Sequence, residues 1–160
     1  MLIESAGLPH TSENLPSRVI RVGVVFGAAQ RLEGACAVLA HLARRHRLVA
    51  VYCPDAERFG HLDRLLWEYD SSHFVPHVDA DDPIRACTPI VLYRHPPPSG
   101  TPYVLNLADE ALPLPLAYPD VLEIVSADPA DRARGRAHWR YYQAAACDLQ
   151  AFDLNRNQLP

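Results

Sequence analysis

The stretch VIRVGVVFGAAQRLEGACAVLAHLARRHRLVAVYC, residues 19–53, contains the pattern that decides the fold. It opens and closes with short apolar and β-branched runs, Val19 to Phe26 and Leu48 to Cys53, which are typical of buried strands. Between them, from Ala29 to His46, apolar residues recur at the helical period and predict an amphipathic helix that packs on a sheet. A helix between two apolar strands indicates an α/β fold.

The rest of the chain continues this alternation. A second helix is predicted after Pro54 and Asp55, and a third has Asp128 as its N-cap, Pro129 at its first position and an end near Cys147. Strands that are apolar nearly throughout and separated by helices indicate a largely parallel sheet of about five strands with helices on both faces. The expected fold class is therefore a three-layer, Rossmann-like α/β domain. The further predicted strands are Pro89 to Tyr93, Tyr103 to Leu107 and Val121 to Val125.

Proline and the chain ends set the expected domain limits. Eleven of the fifteen prolines lie between Pro76 and Pro129. A proline inside a helix costs about 3 kcal/mol, so long helices are expected outside that region. Residues 1–17 lack the basic and apolar regions of a signal peptide and are expected to form a flexible leader. Residues 18–155 are expected to form a single α/β domain, and residues 156–160 a C-terminal tail.

Composition excludes several classes of protein. A chain of 160 residues that is 49% hydrophobic and 21% charged has the balance of one globular domain. The net charge of −4 argues against a general nucleic-acid binder, and all fifteen basic residues are Arg, which excludes sites that depend on Lys. Four cysteines without close spacing are expected to be reduced and mostly buried, and no apolar run approaches the roughly 18 residues that span a bilayer. We therefore expect a soluble, cytoplasmic protein with no membrane partner.

Two segments contain residues of the kinds found at cofactor or metal sites, but neither matches the spacing that such a site requires. Gly23 and Gly27 lie where the first predicted strand leads into the helix, but the third glycine of a dinucleotide site is missing. They are expected to serve a tight turn and close helix packing, and no cofactor is expected. His73 and His77, with the aspartates after them, could belong to a metal-dependent hydrolase. Consecutive ligands on an extended segment lie about 7 Å apart and cannot converge on one ion without a sharp bend. No catalytic residue and no metal site is predicted, and the hydrolase remains the less favoured alternative.

The third helix has the most informative surface. At 100° per residue, a group that we call the arginine stripe falls within about one quadrant: Arg132, Arg136, Trp139, Arg140 and Gln143. The opposite side is expected to pack on the sheet and holds Ala133, Ala137, Tyr141, Ala144 and Ala145. Arg and Trp are enriched at binding hot spots, so the stripe suits an acidic peptide or a single-stranded nucleic acid. The alternative is a solvated helix with Trp139 tucked under its neighbours.

Three motifs in order along the chain resemble a known family. They are Leu62-Asp-Arg-Leu-Leu-Trp67, Ser72-His-Phe74-Val-Pro-His77 and Arg134-Gly-Arg136-Ala-His-Trp139-Arg140-Tyr-Tyr142. Their succession resembles the chi subunit of bacterial DNA polymerase III, and the resemblance extends from about Val19 to Leu149. It implies a non-catalytic accessory subunit of the clamp-loader assembly. Such a subunit forms a heterodimer with the psi subunit and reaches the clamp loader through it.

The resemblance also implies a binding site for a second partner. In the family, the acidic C-terminal tail of single-stranded-DNA-binding protein, which ends in phenylalanine, docks against the C-terminal helix. By position, the residues that bind this tail would be Arg136, Trp139 and Arg140, with Phe74 and Val125 on the apolar side. Arg132 and Gln143 are further candidates from the stripe. Contact with DNA would then be mainly indirect, and a module that binds single-stranded nucleic acid directly is the alternative.

Overall fold

The structure is a computed structural model that describes residues 18–69 and 75–160, so the expected leader, residues 1–17, lies outside the described part. Strands and helices alternate along most of the chain, as the sequence predicts. The strands are β1 (Arg21–Ala28), β2 (Val49–Tyr52), β3 (His77–Asp79), β4 (Ile90–Tyr93), β5 (Tyr103–Asn106), β6 (Asp120–Ser126) and β7 (Asp148–Asp153). The helices are α1 (Arg31–Arg44), α2 (Ala56–Glu68) and α3 (Pro129–Ala144), with 3-10 helices at Pro83–Cys87 and Leu154–Arg156.

The seven strands form one sheet in the order β3-β4-β2-β5-β6-β1-β7. Every strand pair is parallel. Parallel neighbours require crossover connections, and the helices between consecutive strands provide three of them. The predicted parallel α/β sheet is therefore confirmed.

The two strands beyond the predicted five lie at the two edges of the sheet. β3 has three residues and directly follows Pro76, so it offers no apolar run. β7 reads Asp-Leu-Gln-Ala-Phe-Asp and alternates polar with apolar residues. An edge strand pairs on one side only and keeps polar side chains in solvent, whereas an apolar run marks strands that are buried on both faces. The sequence criterion therefore found the central strands and missed the edges.

Helices cover both faces of the sheet, which gives the three layers that the sequence predicts. One buried cluster joins Leu39 of α1 and Leu62 of α2 to inward side chains such as Val25 of β1. A second cluster on the opposite face joins Tyr142 of α3 to Leu112 in the loop between β5 and β6. Successive strand residues point to opposite faces, so each central strand needs apolar residues at nearly every position.

Of the three α-helices, only α2 begins with a side-chain capping hydrogen bond. The Asp55 carboxylate accepts a hydrogen bond from the backbone N–H of Arg58 at 2.8 Å and so caps α2. Asp128 occupies the N-cap of α3 and Pro129 its first turn, as predicted, although the Asp128 side chain makes no capping hydrogen bond. α1 begins at Arg31, after the predicted Ala29, because its N-cap Gln30 keeps an extended backbone.

The helix ends differ from the predicted ones by a few residues. α1 ends at Arg44 and not at His46, which has a left-handed φ of 56°. α3 ends at Ala144 and not near Cys147, because Ala146 has a φ of 58°. A left-handed residue just past the last turn is a common way to end a helix. No helix within residues 18–69 and 75–160 has the length and apolar character needed to cross a membrane.

The end of the chain returns to the domain. Leu159 packs against the core cluster on the α1 face, and His41 Nε2 lies 3.2 Å from the Pro160 carbonyl oxygen.

All four cysteines are free thiols, with Cys36 and Cys53 buried. Burial raises the pKa of Cys36 to about 12 and that of Cys53 to about 11. The two buried thiols therefore stay protonated at neutral pH.

Candidate functional site

A groove of about 240 Å³ lies between α3 and the part of the sheet formed by β6, β1 and β7, and we call it the α3 groove. Its floor is apolar and comes from three adjacent strands. Val24 and Phe26 belong to β1, Val125 to β6 and Ala151 to β7. Phe26 is paired in register with Val125, and Val24 with Ala151, so these side chains lie side by side on the α3 face. Phe26 is 41% exposed, so part of the apolar floor is open to solvent.

Gly135 fixes how closely α3 approaches this floor. A Cβ atom at Gly135 would lie 2.5 Å from Cγ2 of Val125, a distance that side-chain carbons do not adopt. Only a glycine lets the helix backbone rest on Val125 in this way. The close approach holds the rim residues of α3 directly above the apolar floor.

The rim of the α3 groove is cationic and aromatic. Arg132, Arg136 and Trp139 line it from α3, with both arginines exposed and Trp139 half-buried. Within the described part of the chain, the guanidinium groups of Arg132, Arg136 and Arg140 have no hydrogen bond or ion pair. Unpaired guanidinium groups can each bind a carboxylate through two N–H donors. The groove can therefore hold an apolar side chain beside carboxylates.

The predicted packing face of α3 is wrong. Its five residues are all exposed: Ala133, Ala137, Tyr141, Ala144 and Ala145. The buried residues of α3 are Gly135, His138 and Tyr142. Small side chains bury little apolar area, whereas the rings of His138 and Tyr142 fill more space and reach polar partners on the sheet. Three members of the arginine stripe, Arg132, Arg136 and Trp139, thus lie beside the buried side of the helix and line the groove.

A buried polar network fixes the orientation of α3. Glu123 of β6 is 1% exposed, and its Oε1 accepts hydrogen bonds from Tyr142 OH at 2.7 Å and Asn106 Nδ2 at 2.9 Å. Its Oε2 lies 3.3 Å from Nδ1 of His138. Tyr142 OH also accepts a hydrogen bond from the backbone N–H of Leu112 at 2.9 Å. Burial, together with the neighbouring Glu123 carboxylate, raises the pKa of Tyr142 well above its ordinary value, so Tyr142 remains a hydrogen-bond donor.

Comparison with known proteins identifies the family. The family profile of the DNA polymerase III chi subunit, HolC, matches residues 21–150. The chain belongs to the DNA polymerase III chi subunit family. It is also 30% identical over 127 residues to the DNA polymerase III subunit chi of Pseudomonas aeruginosa, an alignment that covers 79% of this chain and 88% of that protein.

Within this chi-family fold, the structure brings together four of the predicted site residues. Arg132, Arg136, Trp139 and Val125 line the α3 groove. The remaining members of the stripe, Arg140 and Gln143, are exposed on α3 outside the groove lining, and the predicted Phe74 lies outside the described residues. That these residues bind the tail of single-stranded-DNA-binding protein stays a prediction.

The sequence analysis missed the part of the groove that comes from the sheet. Phe26 and Val24 were interpreted only as members of a buried strand, and Ala151 belongs to a strand that was not predicted. The sequence did contain a signal for this part of the groove. Val22, Val24 and Phe26 occupy every second position and so share one face of β1, and Phe26 is exposed near the carboxyl end of the strand. Its role depends on α3 lying above β1, which follows from the topology and not from local sequence.

The second of the three motifs, which contains His73 and His77, forms no metal centre within the residues that the structure describes. His73 lies outside the described residues. His77 is buried, with Nδ1 2.8 Å from the Val75 carbonyl oxygen and Nε2 2.9 Å from Oδ1 of Asp63. Both ring nitrogens are thus engaged within the protein. Among the residues that the structure describes, no group of three His, Cys, Asp or Glu side chains is placed to hold a metal ion.

Proposed function

We propose that this protein is a non-catalytic accessory subunit of a bacterial DNA polymerase III holoenzyme. In this proposal a psi subunit joins it to the clamp loader, and the α3 groove receives the acidic C-terminal tail of single-stranded-DNA-binding protein. The observation that carries the proposal is the pairing of an apolar floor with unpaired arginines in a chi-family fold.

The chemistry of the groove supports an acidic tail that ends in phenylalanine. The aromatic ring of such a tail would contact Phe26, Val125 and the indole of Trp139, which are the apolar parts of the lining. The terminal carboxylate and the acidic side chains would pair with Arg136 and Arg132, which have no partner of their own within the described residues. Binding leaves neither the arginines nor the carboxylates without a partner, which favours this class of ligand.

Direct binding of single-stranded nucleic acid would call for different features. Proteins of that kind combine a basic channel with a succession of aromatic platforms on which bases stack. Here the rings of Phe26 and Trp139 share one recess, and the chain carries a net charge of −4. An attraction limited to one helix face favours a short acidic segment over a long polyanion.

Two parallel titrations test the proposal. In one, an acidic peptide that ends in phenylalanine is added to the protein, and in the other an unstructured oligodeoxynucleotide is added in the same buffer. We expect the peptide to bind and the peptide without its last residue to bind far more weakly. Binding of the oligodeoxynucleotide that equals or exceeds peptide binding would contradict the proposal and support the nucleic-acid module.

The non-catalytic part of the proposal has its own test. His138, Tyr142 and Glu123 are the buried ionisable groups nearest the groove, and all three are engaged with one another in the network beneath α3. We expect the purified protein to hydrolyse no nucleotide with or without added divalent metal. Turnover that disappears on substituting His77 with alanine would instead revive the hydrolase interpretation.

A further inference from the structure

A second cavity, separate from the α3 groove, lies at the carboxyl ends of the central strands. It measures about 360 Å³ and shares no lining residue with the α3 groove. Three arginines from three different helices line it: Arg31 of α1, Arg58 of α2 and Arg134 of α3. We call this set the arginine cluster.

The position of the cluster is one that α/β proteins commonly use for ligands. The connections from the neighbouring strands β1 and β6 leave in opposite directions, one through α1 to β2 and the other through α3 to β7. The two helices also lie on opposite faces of the sheet. Such a switch of direction opens a crevice at the carboxyl ends of the strands, and ligands of α/β proteins bind in that crevice.

The backbone holds the arginines in place. Each guanidinium donates a hydrogen bond to a neutral carbonyl oxygen of the sheet or of the loop after it, which fixes the side chain without neutralising its charge. The three bonds run from Arg31 Nη2 to Ala108 O at 2.7 Å, from Arg58 Nη1 to Leu107 O at 2.8 Å and from Arg134 Nη2 to Ile124 O at 2.8 Å.

Carboxylates also line this cavity, but one of them is easily displaced. Asp131 is committed to the backbone N–H of Ser126 and to Arg134, and Arg134 Nη1 also lies 3.7 Å from Oε2 of the buried Glu123. Asp128 is the N-cap residue of α3, but its carboxylate makes no capping hydrogen bond. Asp109 is the carboxylate that contacts the other two arginines, at 2.8 Å from Arg58 Nη2 and 3.5 Å from Arg31 Nη1. Its side chain is 70% exposed, so it can turn into solvent at little cost.

In the part of the chain that the structure describes, Arg31 has an unused hydrogen-bond donor inside the cluster. Its side chain is only 12% exposed, and within the described residues its buried Nε–H has no acceptor. Burial, followed by the nearby charge of Arg134, lowers the pKa of Arg31 to about 10, with Glu123 and Asp131 acting in the opposite direction. An anion that reaches the unused donor would favour the charged form of Arg31.

We propose that the arginine cluster binds a phosphate group, either as inorganic phosphate or as a phosphomonoester, which displaces the Asp109 side chain from Arg31 and Arg58. Phosphate fits because it offers several acceptor oxygens and up to two charges where Asp109 supplies one, and guanidinium groups bind it through paired N–H donors. Gly-rich loops usually supply the donors at such a position. Here arginines from three helices take that role.

Thermal unfolding of the full chain with increasing inorganic phosphate, against sodium chloride at equal ionic strength, measures this binding. A parallel titration with a deoxynucleoside 5′-monophosphate distinguishes the free anion from an esterified one. The variants are Arg58→Gln, which removes a partly exposed cation, and Asp109→Asn, which removes the competing charge. Arg132→Gln, a substitution in the α3 groove, is the matched control.

We expect phosphate to raise the melting temperature more than chloride does, and Arg58→Gln to weaken binding by about tenfold, as loss of a charge-assisted bond predicts. Asp109→Asn is expected to tighten phosphate binding, a gain that a merely structural role would not produce, and Arg132→Gln to leave it unchanged. Equal responses to phosphate and chloride, or a response that survives Arg58→Gln intact, would overturn the proposal. Tail binding in the α3 groove should be the same in Arg58→Gln, so the two proposals succeed or fail separately.

Discussion

Trp139 lies between the apolar floor and the cationic rim of the α3 groove, and Arg136 precedes it by about one turn of the helix. We expect Trp139→Ala and Arg136→Ala each to weaken binding of the acidic tail by about 1–3 kcal/mol, the usual range for aromatic and arginine anchors. Isothermal titration with the peptide measures both losses. Unchanged binding in Trp139→Ala would show that the tail docks elsewhere.

Salt dependence separates charged contacts from apolar ones in the same groove. Arg140 is exposed and outside the lining, so its attraction for the tail is screened, and Arg140→Ala should weaken binding at low salt only. Phe26→Ala removes apolar contact and should weaken binding at every salt concentration. Titrations at two ionic strengths provide the comparison, and an equal salt response of the two variants would contradict it.

The control for these variants must be an arginine of the same exposure elsewhere. Arg64 is exposed on α2, across the sheet from α3, and Arg64→Ala should leave tail binding unchanged. Arg134 is unsuitable although it lies on α3, because its guanidinium bonds to Ile124 O and to Asp131 inside the fold. Its loss would disturb the packing of the helix.

The left-handed backbone of Ala146 leads to a prediction about stability. A residue with a Cβ atom pays about 1 kcal/mol to adopt this conformation, and glycine does not. Glycine also costs more entropy to order, which offsets part of the gain. We therefore expect Ala146→Gly to raise the free energy of unfolding by up to about 1 kcal/mol. Urea denaturation of the two proteins checks this, and a loss of stability would show that the turn tolerates alanine without strain.

At the scale of elements, the contact between α3 and β6 depends on Gly135. Alanine would improve the helix propensity by about 1 kcal/mol, but its Cβ would collide with the stiff side chain of Val125, a cost of about 1–3 kcal/mol. We expect Gly135→Ala to lower stability and to weaken tail binding, because the rim moves away from the floor. Urea denaturation and peptide titration measure the two effects.

A double variant identifies the cause of that loss. Val125→Ala removes the methyl groups with which the new Cβ would collide. The Gly135→Ala, Val125→Ala pair should therefore be more stable than the sum of the two single changes predicts. Additive losses would mean that Gly135 acts through something other than this contact.

The sequence predicted the central strands of the sheet, which have a neighbouring strand on each side, and did not predict the two edge strands, which have a neighbour on one side only. Val22 to Phe26 and, apart from the buried Glu123, Val121 to Val125 form apolar runs because helices cover both faces of β1 and β6. The edge strand β7 holds Asp148 and Gln150 and lacked such a signal. Patterns of burial thus reveal the centre of a sheet more readily than its edges.

The candidate site was predictable where helix periodicity alone placed the residues. Spacing along α3 grouped Arg132, Arg136 and Trp139, which the structure also groups around one groove. Spacing within α3 could not tell which face of the helix is buried, because Tyr142 is held on that face by a hydrogen bond to Glu123, which lies outside the helix on β6. For the same reason, spacing within a helix could not show that Arg31 and Arg58, which lie on different helices, line one cavity.

At the scale of the whole molecule, the buried thiols make stability depend on alkaline pH. Cys36 and Cys53 have folded pKa values of about 12 and 11, against an ordinary value of 9.0. Above about pH 9 the unfolded chain releases these protons and the folded protein keeps them, so stability present below pH 9 is lost as pH rises toward 11. Each thiol contributes up to about 1.4 kcal/mol per pH unit. Urea denaturation between pH 7 and pH 10 under reducing conditions, in roughly half-unit steps, measures the slope.

A variant separates the thiols from other groups that titrate at high pH. With Cys36 and Cys53 both replaced by alanine, the protein should start less stable at neutral pH, because two buried side chains are lost. Its stability should nevertheless fall less steeply between pH 9 and pH 10. A slope identical to that of the original protein would assign the pH dependence to other residues.

The proposed function requires the chain to bind two partners at once, so in that proposal the psi subunit leaves the α3 groove open. Large apolar side chains are exposed elsewhere on the domain, with Leu48 65% exposed and Ile84 58% exposed. A subunit that binds only the folded state stabilises it by mass action, by about 2.7 kcal/mol at a concentration one hundred times its Kd.

We expect a cognate psi subunit to raise the melting temperature by several degrees, and the heterodimer to bind the acidic tail as tightly as the isolated chain does. Calorimetry and peptide titration on the purified complex measure the two quantities. A melting temperature indifferent to psi would refute the heterodimer, whereas a stable heterodimer that no longer binds the tail would place psi in the groove and refute the linking role.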